Sequence, residues 1–348
     1  MSPRERMSNF RDPLGLVRRM LASGNRAAYS ALFREGISVA LKPFDVMFGA
    51  LENHSLAKDM ESDQPLILIV GAPRSGTTLI YQTLSAYLDV TYPSNLTALF
   101  PRAPLTAARL QKLIPTKRRP DFRNFYGQTT RMRGPNDAFH LWNRWFGDDR
   151  YQLENRLSEE DIADMRRFFA AWTSTFNKPF LNKNNRNTDC IHRLAEYLPN
   201  ARFVVVRRNP VFVAQSLIQA REVVQGDKSV GWGLRSRSAD ETQDPLAYVD
   251  EVCRQVTAID TDMDQQLATV DSNRVVEITY ETFCEDPKWT IRKIVSAFDG
   301  LELAPSMSLE ELTAFQISKK NLLTPEEQSR MLQCLNADDT AFAPSTTG

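Results

Sequence analysis

PLILIVGAPRSGTT, residues 65–78, joins a continuous apolar run to a glycine-rich loop. The run PLILIV is typical of a strand that is buried on both faces of a sheet. Gly71 and Gly76 have the G-x-x-x-x-G spacing of a phosphate-binding loop, and the following TTLIYQTLSAYL predicts a helix. Strand, loop and helix in this order predict an anion site, where backbone N–H groups and the helix dipole meet a negative charge.

The cations around this loop differ from those of a nucleotide triphosphatase. Thr77 stands where such loops carry a lysine, and Arg74 lies three residues earlier. A second buried strand, RFVVV at 202–206, ends in Arg207 and Arg208, where a magnesium-binding aspartate is expected. Cations at this strand end repel a metal and attract a second anion. The pattern therefore predicts a nucleotide held by arginines and hydroxyl groups without metal, and a sulfonate fits as its transferable group.

The composition is that of an ordinary globular protein. The 348 residues are 42% apolar and 25% charged, with 43 basic and 43 acidic side chains, so no overall field favours nucleic acid. Cys190, Cys253, Cys284 and Cys334 form no C-x-x-C pair, which predicts free thiols and no zinc site. We find no secretory signal and no run of ~18 apolar residues, and we expect a cytoplasmic protein.

The order of patterns predicts an α/β fold. A third strand, RVVEITY at 274–280, precedes another amphipathic helix. Strands alternating with helices predict a mostly parallel sheet covered on both faces. We expect a helical extension over 1–64, a main domain over 65–335 with a helical acceptor-binding insertion at about 94–180, and a flexible tail over 336–348.

The extension contains apolar residues at helical spacing, among them Phe33, Leu41 and Phe44. Packing of two or three helices against the main domain is the favoured interpretation. The alternative is peripheral contact with a membrane surface.

Two motifs resemble the sulfotransferases that use 3′-phosphoadenosine 5′-phosphosulfate (PAPS). LIVGAPRSGTT, residues 68–78, is similar to that family's loop for the 5′-phosphosulfate. RRNPVFVAQS, residues 207–216, resembles its segment for the 3′-phosphate, with Ser216 eight residues beyond Arg208. The resemblance is closest to the bacterial and Golgi-type branch, and it implies a P-loop NTPase-like parallel sheet flanked by helices.

Two further segments carry the resemblance in the same order. Residues 182–206, NKNNRNTDCIHRLAEYLPNARFVVV, resemble the family's lysine-bearing segment, and residues 278–298 resemble its "YE-x-L…DP" segment. By position, Lys183 would sit near the bridging oxygen and offset charge as the sulfonate leaves. Many relatives have proline two residues after this lysine, where this chain has Asn185.

The resemblance also implies the cofactor-binding residues. They are Arg74, Ser75, Gly76, Thr77 and Thr78 at the 5′-phosphosulfate, Arg208 and Ser216 at the 3′-phosphate, Tyr280 beside the adenine or ribose, and Lys319 and Lys320 in a loop that could close over PAPS.

The general base is not where the resemblance would place it. The tyrosylprotein branch has a glutamate after the loop helix, and the corresponding stretch here, at Ser94 and Asn95, has no acid. Asp137 and His140 are three apart at a predicted helix start and would share a face. Asp137 could be the base or orient His140. The equal alternative is that Asp137 caps the helix and His140 belongs to the core.

The same region is the predicted acceptor pocket. Phe139, Trp142 and Trp145 recur at helical spacing, which favours core packing over a ligand platform, and the segment at 112–134 is rich in basic residues. We expect metal-free in-line transfer of a sulfonate to a hydroxyl of a saccharide or glycolipid, leaving adenosine 3′,5′-bisphosphate. A small alcohol or amine and a protein tyrosine remain open as acceptors. The rival functions are a magnesium-dependent P-loop kinase and a non-catalytic nucleotide-binding protein.

Overall fold

A computed structural model of the chain describes residues 10–56, 62–112, 121–147, 156–238, 244–317 and 320–338. The strands in these residues are β1 (Leu66–Val70), β2 (Asn124–Phe125), β3 (Gln128–Thr129), β4 (Phe180–Lys183), β5 (Ala201–Arg207) and β6 (Val275–Thr279). Strands β1, β4, β5 and β6 form a parallel sheet in the order β4-β1-β5-β6, and β2 pairs with β3 in an antiparallel hairpin.

Helices cover both faces of the parallel sheet. Those in the described residues are α1 (Pro13–Ala22), α2 (Arg26–Leu56), α3 (Thr77–Tyr87), α4 (Pro104–Gln111), α5 (Phe139–Phe146), α6 (Glu159–Phe176), α7 (Ile191–Tyr197), α8 (Pro210–Ala220), α9 (Ala247–Leu267), α10 (Tyr280–Glu285), α11 (Pro287–Ala297) and α12 (Pro325–Leu335). The predicted α/β fold with a parallel sheet flanked by helices is confirmed.

The central strand β1 shows why the sheet is covered twice. All five of its residues are buried. Leu66, Leu68 and Val70 pack into one apolar cluster with α5 and α6, while Ile67 and Ile69 pack into another with α3 and α11. Successive strand residues point to opposite faces, so a strand between two helical layers needs apolar residues at every position.

The parallel register brings the carboxyl ends of the strands to one edge. Ile69 lies beside Lys183, Val70 beside Val205, and Arg207 beside Thr279. The segments that leave the sheet here follow β1, β4, β5 and β6. In open parallel sheets this edge is where ligands bind.

The three strands predicted from the sequence are present as β1, β5 and β6, at nearly the predicted positions. Two other features of the fold differ from the prediction. Strand β4 was not predicted, because four residues between Pro179 and a polar segment give too short an apolar run. The insertion is only partly helical, since it also contains the β2–β3 hairpin. Its turn residues Tyr126 and Gly127 have φ of +47° and +93°, the left-handed pair that closes a two-residue hairpin.

The N-terminal part of the chain forms two helices, α1 and α2, and α2 buries charged residues, such as Glu52, as well as apolar ones, such as Ala28. Phe33 and Phe44 are 64% and 52% exposed, so core packing is wrong for both, while Leu41 is half-buried against Phe100. The tail beyond 338 lies outside the described residues.

Cys190, Cys253, Cys284 and Cys334 are all free thiols, as the sequence predicted. Across the described residues, every helix is too short or too polar to cross a membrane.

Candidate active site

A cleft of about 750 Å³ opens at the carboxyl edge of the parallel sheet. Each parallel strand supplies one residue to the lining of the cleft, either at the carboxyl end of the strand or in the segment that follows. These residues are Arg74 after β1, Lys183 from β4, Arg208 after β5 and Tyr280 after β6. The cleft also contains Gly76, Thr77 and Thr78 at the start of α3. The site is thus assembled from four separate segments by the sheet.

The glycine-rich loop is held tightly against the sheet. Gly71 has φ of +153°, and a Cβ there would lie 2.5 Å from the Val206 carbonyl oxygen, so only glycine fits. Its N–H donates to Thr188 Oγ1 at 3.0 Å, and the same hydroxyl donates to the Gly71 carbonyl at 3.1 Å. Gly76 precedes α3 with φ of +92°, and no described side chain caps the helix. The first N–H groups of α3 are therefore free to meet an anion.

The structure brings the two anion motifs together. Arg74 Nε donates to Ser216 Oγ at 2.9 Å, and Arg208 Nη1 donates to the Arg74 carbonyl at 2.8 Å. The Arg208 guanidinium lies 4.5 Å from the Tyr280 ring centroid. A Cβ on Gly76 would lie 2.1 Å from the same ring, so Tyr280 packs directly on the loop. Two arginines, a serine and a tyrosine from distant segments thus form one contiguous surface.

Burial changes the acid–base properties of this surface. It lowers the pKa of Arg74, and the like charge of Arg208 acts in the same direction. Burial, with a smaller contribution from Cys284, raises the pKa of Tyr280 to about 12. Tyr280 is therefore a protonated phenol near neutral pH and can donate a hydrogen bond.

Two polar atoms beside the loop are buried without a hydrogen-bond partner among the described residues, namely Ser75 Oγ and Arg208 Nε. Buried donors left unpaired are costly and are uncommon in proteins. A bound anion with several oxygens would satisfy such donors. The loop and the Arg208 segment therefore fit a ligand that carries more than one anionic group.

Lys183 and Asp137 form a buried ion pair in the cleft. Lys183 Nζ lies 2.7 Å from Asp137 Oδ2, and their side chains are 3% and 16% exposed. The segment before α5 is held by the neighbours of this lysine. Asn182 Nδ2 donates to the Asn136 carbonyl at 3.3 Å, and Asn184 Nδ2 donates to the Asp137 carbonyl at 2.8 Å. Three consecutive residues at the end of β4 thus fix the position of Asp137.

Asp137 and His140 do not share a helix face, contrary to the prediction. Helix α5 begins at Phe139, after Ala138 with φ of +55°, so Asp137 lies before the helix and does not cap it. His140 is not among the described residues that line the cleft. Its Nε2 is buried, and burial, with a smaller effect of the Arg144 charge, lowers the pKa of His140 to about 3. An imidazole with this pKa is a weak base.

The aromatic residues of α5 are mostly core residues. Trp142 and Trp145 are 0% and 4% exposed and pack against α6, so core packing is confirmed and the ligand platform is wrong for these two. Trp142 Nε1 donates to Asn182 Oδ1 at 2.8 Å, which supports the strand that carries Lys183. Phe139 is half-buried and lines the cleft.

Three further positions named from the resemblance are Lys319, Lys320 and Asn185. Lys320 is exposed, and its carbonyl accepts from Gln215 Nε2 at 3.1 Å; the lysine is not among the described lining residues. Lys319 lies outside the described residues. Asn185, which replaces the proline of many relatives, opens a short 3-10 helix, Asn185–Cys190, and lines the cleft.

The two adjacent arginines after β5 have different environments. Arg208 lines the cleft, whereas Arg207 pairs with Asp264, with Glu277 at 3.2 Å and with Asp260 at 3.7 Å. Of the two cations predicted at the end of β5, Arg208 is therefore the one that lies in the cleft. Over the described residues there is no group of three or more His, Cys, Asp or Glu side chains arranged to hold a metal.

The sequence did not reveal an aromatic pair above Arg74. The Tyr126 ring centroid lies 4.9 Å from the Arg74 guanidinium, and its ring meets that of Trp232 edge-on at 6.0 Å. The Tyr-Gly dipeptide at 126–127 was the available signal, since such pairs occur in tight hairpin turns. Trp232 lies in a loop whose sequence gave no comparable signal.

The sequence also did not reveal the apolar part of the cleft lining, which we call the apolar wall. It comes from Phe10 and α1, from α2 and from the residues around the hairpin. Its members are Phe10, Pro13, Leu16, Val17, Met20, Ala31, Leu32, Phe122 and Phe125. The basic part of the predicted acceptor segment at 113–120 lies outside the described residues.

Comparison with solved structures shows a similar fold. Sulfotransferase STF1 from Mycobacterium tuberculosis H37Rv is 13% identical with a TM-score of 0.50, over 94% of this chain and 92% of that one. Sulfotransferase STF9 from Mycobacterium avium is 16% identical with a TM-score of 0.49, over 84% and 72%. No curated protein is similar enough in sequence to match.

The sequence also matches a family model. The match is to the sulfotransferase family and spans residues 65–305, from the strand before the glycine loop to beyond α11. This range contains Arg74, Lys183, Arg208 and Tyr280. It covers well over half of the chain, and the chain therefore belongs to the sulfotransferase family and is a sulfotransferase enzyme.

Proposed function

We propose that this sulfotransferase transfers the sulfonate of PAPS to a hydroxyl group of a saccharide or glycolipid acceptor by in-line displacement. The observation that carries the proposal is the junction of the two anion motifs. Arg74 contacts Ser216 at 2.9 Å, and Arg208 contacts the Arg74 carbonyl at 2.8 Å. A ligand with a phosphosulfate at one end and a phosphate at the other matches two adjoining arginine sites.

The residues that line the cleft, together with Ser75 and Ser216 beside them, fit PAPS by their chemistry. Arg74 and the N-terminus of α3, with Ser75, Gly76, Thr77 and Thr78, would hold the phosphosulfate. Ser216 and Arg208 would hold the 3′-phosphate, and Tyr280 would contact the adenine or ribose. When bound, PAPS supplies the sulfonate that is transferred and leaves as adenosine 3′,5′-bisphosphate.

Lys183 would stabilise the charge that develops on the leaving side. Its ammonium is fixed at the end of β4, 3% exposed, and it needs no rearrangement of the sheet to act. A preorganised cation in a site with little water stabilises developing negative charge more strongly than it would in solution. The ion pair with Asp137 holds this ammonium in place before the cofactor arrives.

Asp137 would take the proton of the acceptor hydroxyl. Its carboxylate lines the cleft, and Oδ2 lies 2.7 Å from Lys183 Nζ. A general base must lie within hydrogen-bond reach of the reacting hydroxyl. Among the described residues that line the cleft, the carboxylates are Glu35 and Asp137, and Asp137 is the one that adjoins the end of β4. His140 is not assigned a role in this mechanism, because it is not among the described lining residues and burial lowers its pKa to about 3.

The apolar wall supports an acceptor with a hydrophobic part. Leu16, Met20, Leu32 and Phe125 are among the apolar side chains that line the cleft. Apolar side chains offer little to a free sugar beyond stacking, whereas they bind an acyl or alkyl chain. A glycolipid is therefore the favoured acceptor class.

Calorimetric titration with adenosine 3′,5′-bisphosphate, beside ATP with and without Mg²⁺, tests the cofactor. We expect metal-independent binding of the bisphosphate, at least tenfold tighter than ATP, because Arg208 and Ser216 meet the 3′-phosphate. Tighter binding of ATP with Mg²⁺ than of the bisphosphate would indicate a phosphoryl donor in place of a sulfonate donor and would refute the proposal.

A further inference from the structure

Helix α2 exposes several of its large apolar residues. Six of them are between 52% and 64% exposed: Phe33, Val39, Phe44, Val46, Met47 and Leu51. We call these six residues the outer face of α2. Isolated apolar side chains on a surface are normal, but a contiguous set along one helix indicates an interaction site.

The opposite side of α2 buries charged residues, each with partners in the main domain. Arg34 donates to the Thr129 carbonyl at 3.0 Å, and Asp45 accepts from Arg102 N at 3.0 Å. Glu52, 1% exposed, accepts from Leu105 N at 2.9 Å. Rotation of the helix to bury its outer face would leave these three charges without partners, at a high cost. The exposure of the outer face is therefore fixed by the fold.

The shape of the outer face distinguishes a flat surface from a partner helix. At about 100° per residue, its six residues cover an arc of roughly 160° over about 27 Å of helix. A pair of helices needs only a narrow seam of residues at alternating spacings of three and four. A broad apolar arc is instead typical of a helix that lies in the interface of a lipid bilayer.

The charged residues near the outer face are complementary to an anionic lipid surface. Among the described side chains of α1 and α2, the exposed cations are Arg18, Arg26 and Lys42, and the exposed acid is Glu35. An apolar face bordered by an excess of cations is complementary to anionic headgroups.

We propose that the outer face of α2 docks on an anionic lipid surface, with Lys42 and the flanking arginines at the headgroups. Residues of the same helices, among them Leu16, Met20 and Leu32, form the apolar wall of the cleft. Docking would therefore bring the acceptor side of the cleft next to the lipid. The docking itself does not depend on the identity of the sulfonate donor.

Flotation of the full chain with vesicles tests this proposal. We expect the protein to float with phosphatidylcholine vesicles that contain phosphatidylglycerol, and less with phosphatidylcholine alone. The variant Phe44→Ser/Met47→Ser/Leu51→Ser should lose at least roughly tenfold in partitioning. The matched control is Trp289→Ser/Leu303→Ser/Leu322→Ser, which removes three apolar side chains that are 49%, 40% and 49% exposed elsewhere. It should float like the unmodified protein.

Two further measurements keep the outcome decisive. Thermal unfolding and bisphosphate binding should be unchanged in the α2 variant, which separates loss of docking from loss of the fold or of the proposed cofactor site. Failure of the unmodified chain to float with the anionic vesicles would overturn the proposal. A dimer in analytical ultracentrifugation that the α2 variant converts to a monomer would assign the outer face to a second copy and would also overturn it.

Discussion

The cleft and the helix pair α1–α2 differ in how their sequence relates to their structure. In the cleft, Gly71, Gly76 and the arginines have roles that follow from backbone geometry and charge close to them in the chain. In α2, Phe33 and Phe44 are exposed while Glu52 is buried, the reverse of the usual pattern. A motif can be recognised in the sequence when the residues it acts with are close to it in the chain. The orientation of a helix depends on partners that are distant in sequence.

The largest effect is expected at the ion pair of the cleft. Lys183→Ala and Asp137→Asn should each lower turnover by roughly 10²–10³-fold, since each removes a charge that acts in the transition state. Bisphosphate affinity, measured by calorimetry, should change little. Lys178→Ala is the matched control, because Lys178 pairs with Asp89 at a side chain that is 41% exposed. Full turnover in either cleft variant would remove that residue from the mechanism.

The next effect separates two adjacent arginines. Arg208→Ala should weaken bisphosphate binding by about 1.5–3 kcal/mol, the range for a hydrogen bond to a charged group. Arg207→Ala should leave binding unchanged and cost at most about 1 kcal/mol of stability, because its ion pairs involve exposed carboxylates such as Asp264 and Glu277. Calorimetry on both variants decides the matter. Equal losses of bisphosphate affinity in the two variants would contradict the assignment of Arg208, and not Arg207, to the cofactor site.

The smallest effect is expected in the helix pair. Glu52 accepts from Leu105 N at 2.9 Å and from Thr106 N and Oγ1 at 2.8 Å, at the start of α4. Glu52→Gln should lower stability by about 1–2 kcal/mol, because it removes a negative charge from a helix N-terminus. Thermal unfolding measures the loss, with the exposed Asn53→Gln as control. An unchanged midpoint would show that Glu52 does not fix the orientation of α2.

The sequence was sufficient for the elements whose causes are local. Strand β1 and the loop after it were predictable from PLILIV and two glycines, and β5 from RFVVV. Strand β4 was not predictable, because its four residues are buried through pairing with β1 and not through a long apolar run. The proposed cofactor residues followed from motifs, whereas the contact between Arg74 and Tyr126 depends on a hairpin that only tertiary structure places there.

The region before α5 illustrates a misleading spacing. Asp137 and His140 are three residues apart, which on a helix would place them on one face. Ala138 adopts a left-handed conformation with φ of +55°, which alanine seldom does, so the helix begins one residue later. The spacing rule failed because a single backbone angle changed the direction of the chain. The ion pair with Lys183 was equally hidden, since the two residues lie 46 positions apart.

The attachment of α1 has a consequence for the synthesis of the chain. Arg19 Nε donates to the Val223 carbonyl at 2.7 Å across a separation of 204 residues. At ~5–20 residues per second, the ribosome needs about 10–40 s to add this length. The buried charges of α2 have nearer partners, since Arg34 and Thr129 are 95 residues apart and Glu52 and Leu105 are 53 apart. Helix α1 can therefore complete its contacts with the main domain only later than α2, once the segment at Val223 has left the ribosome.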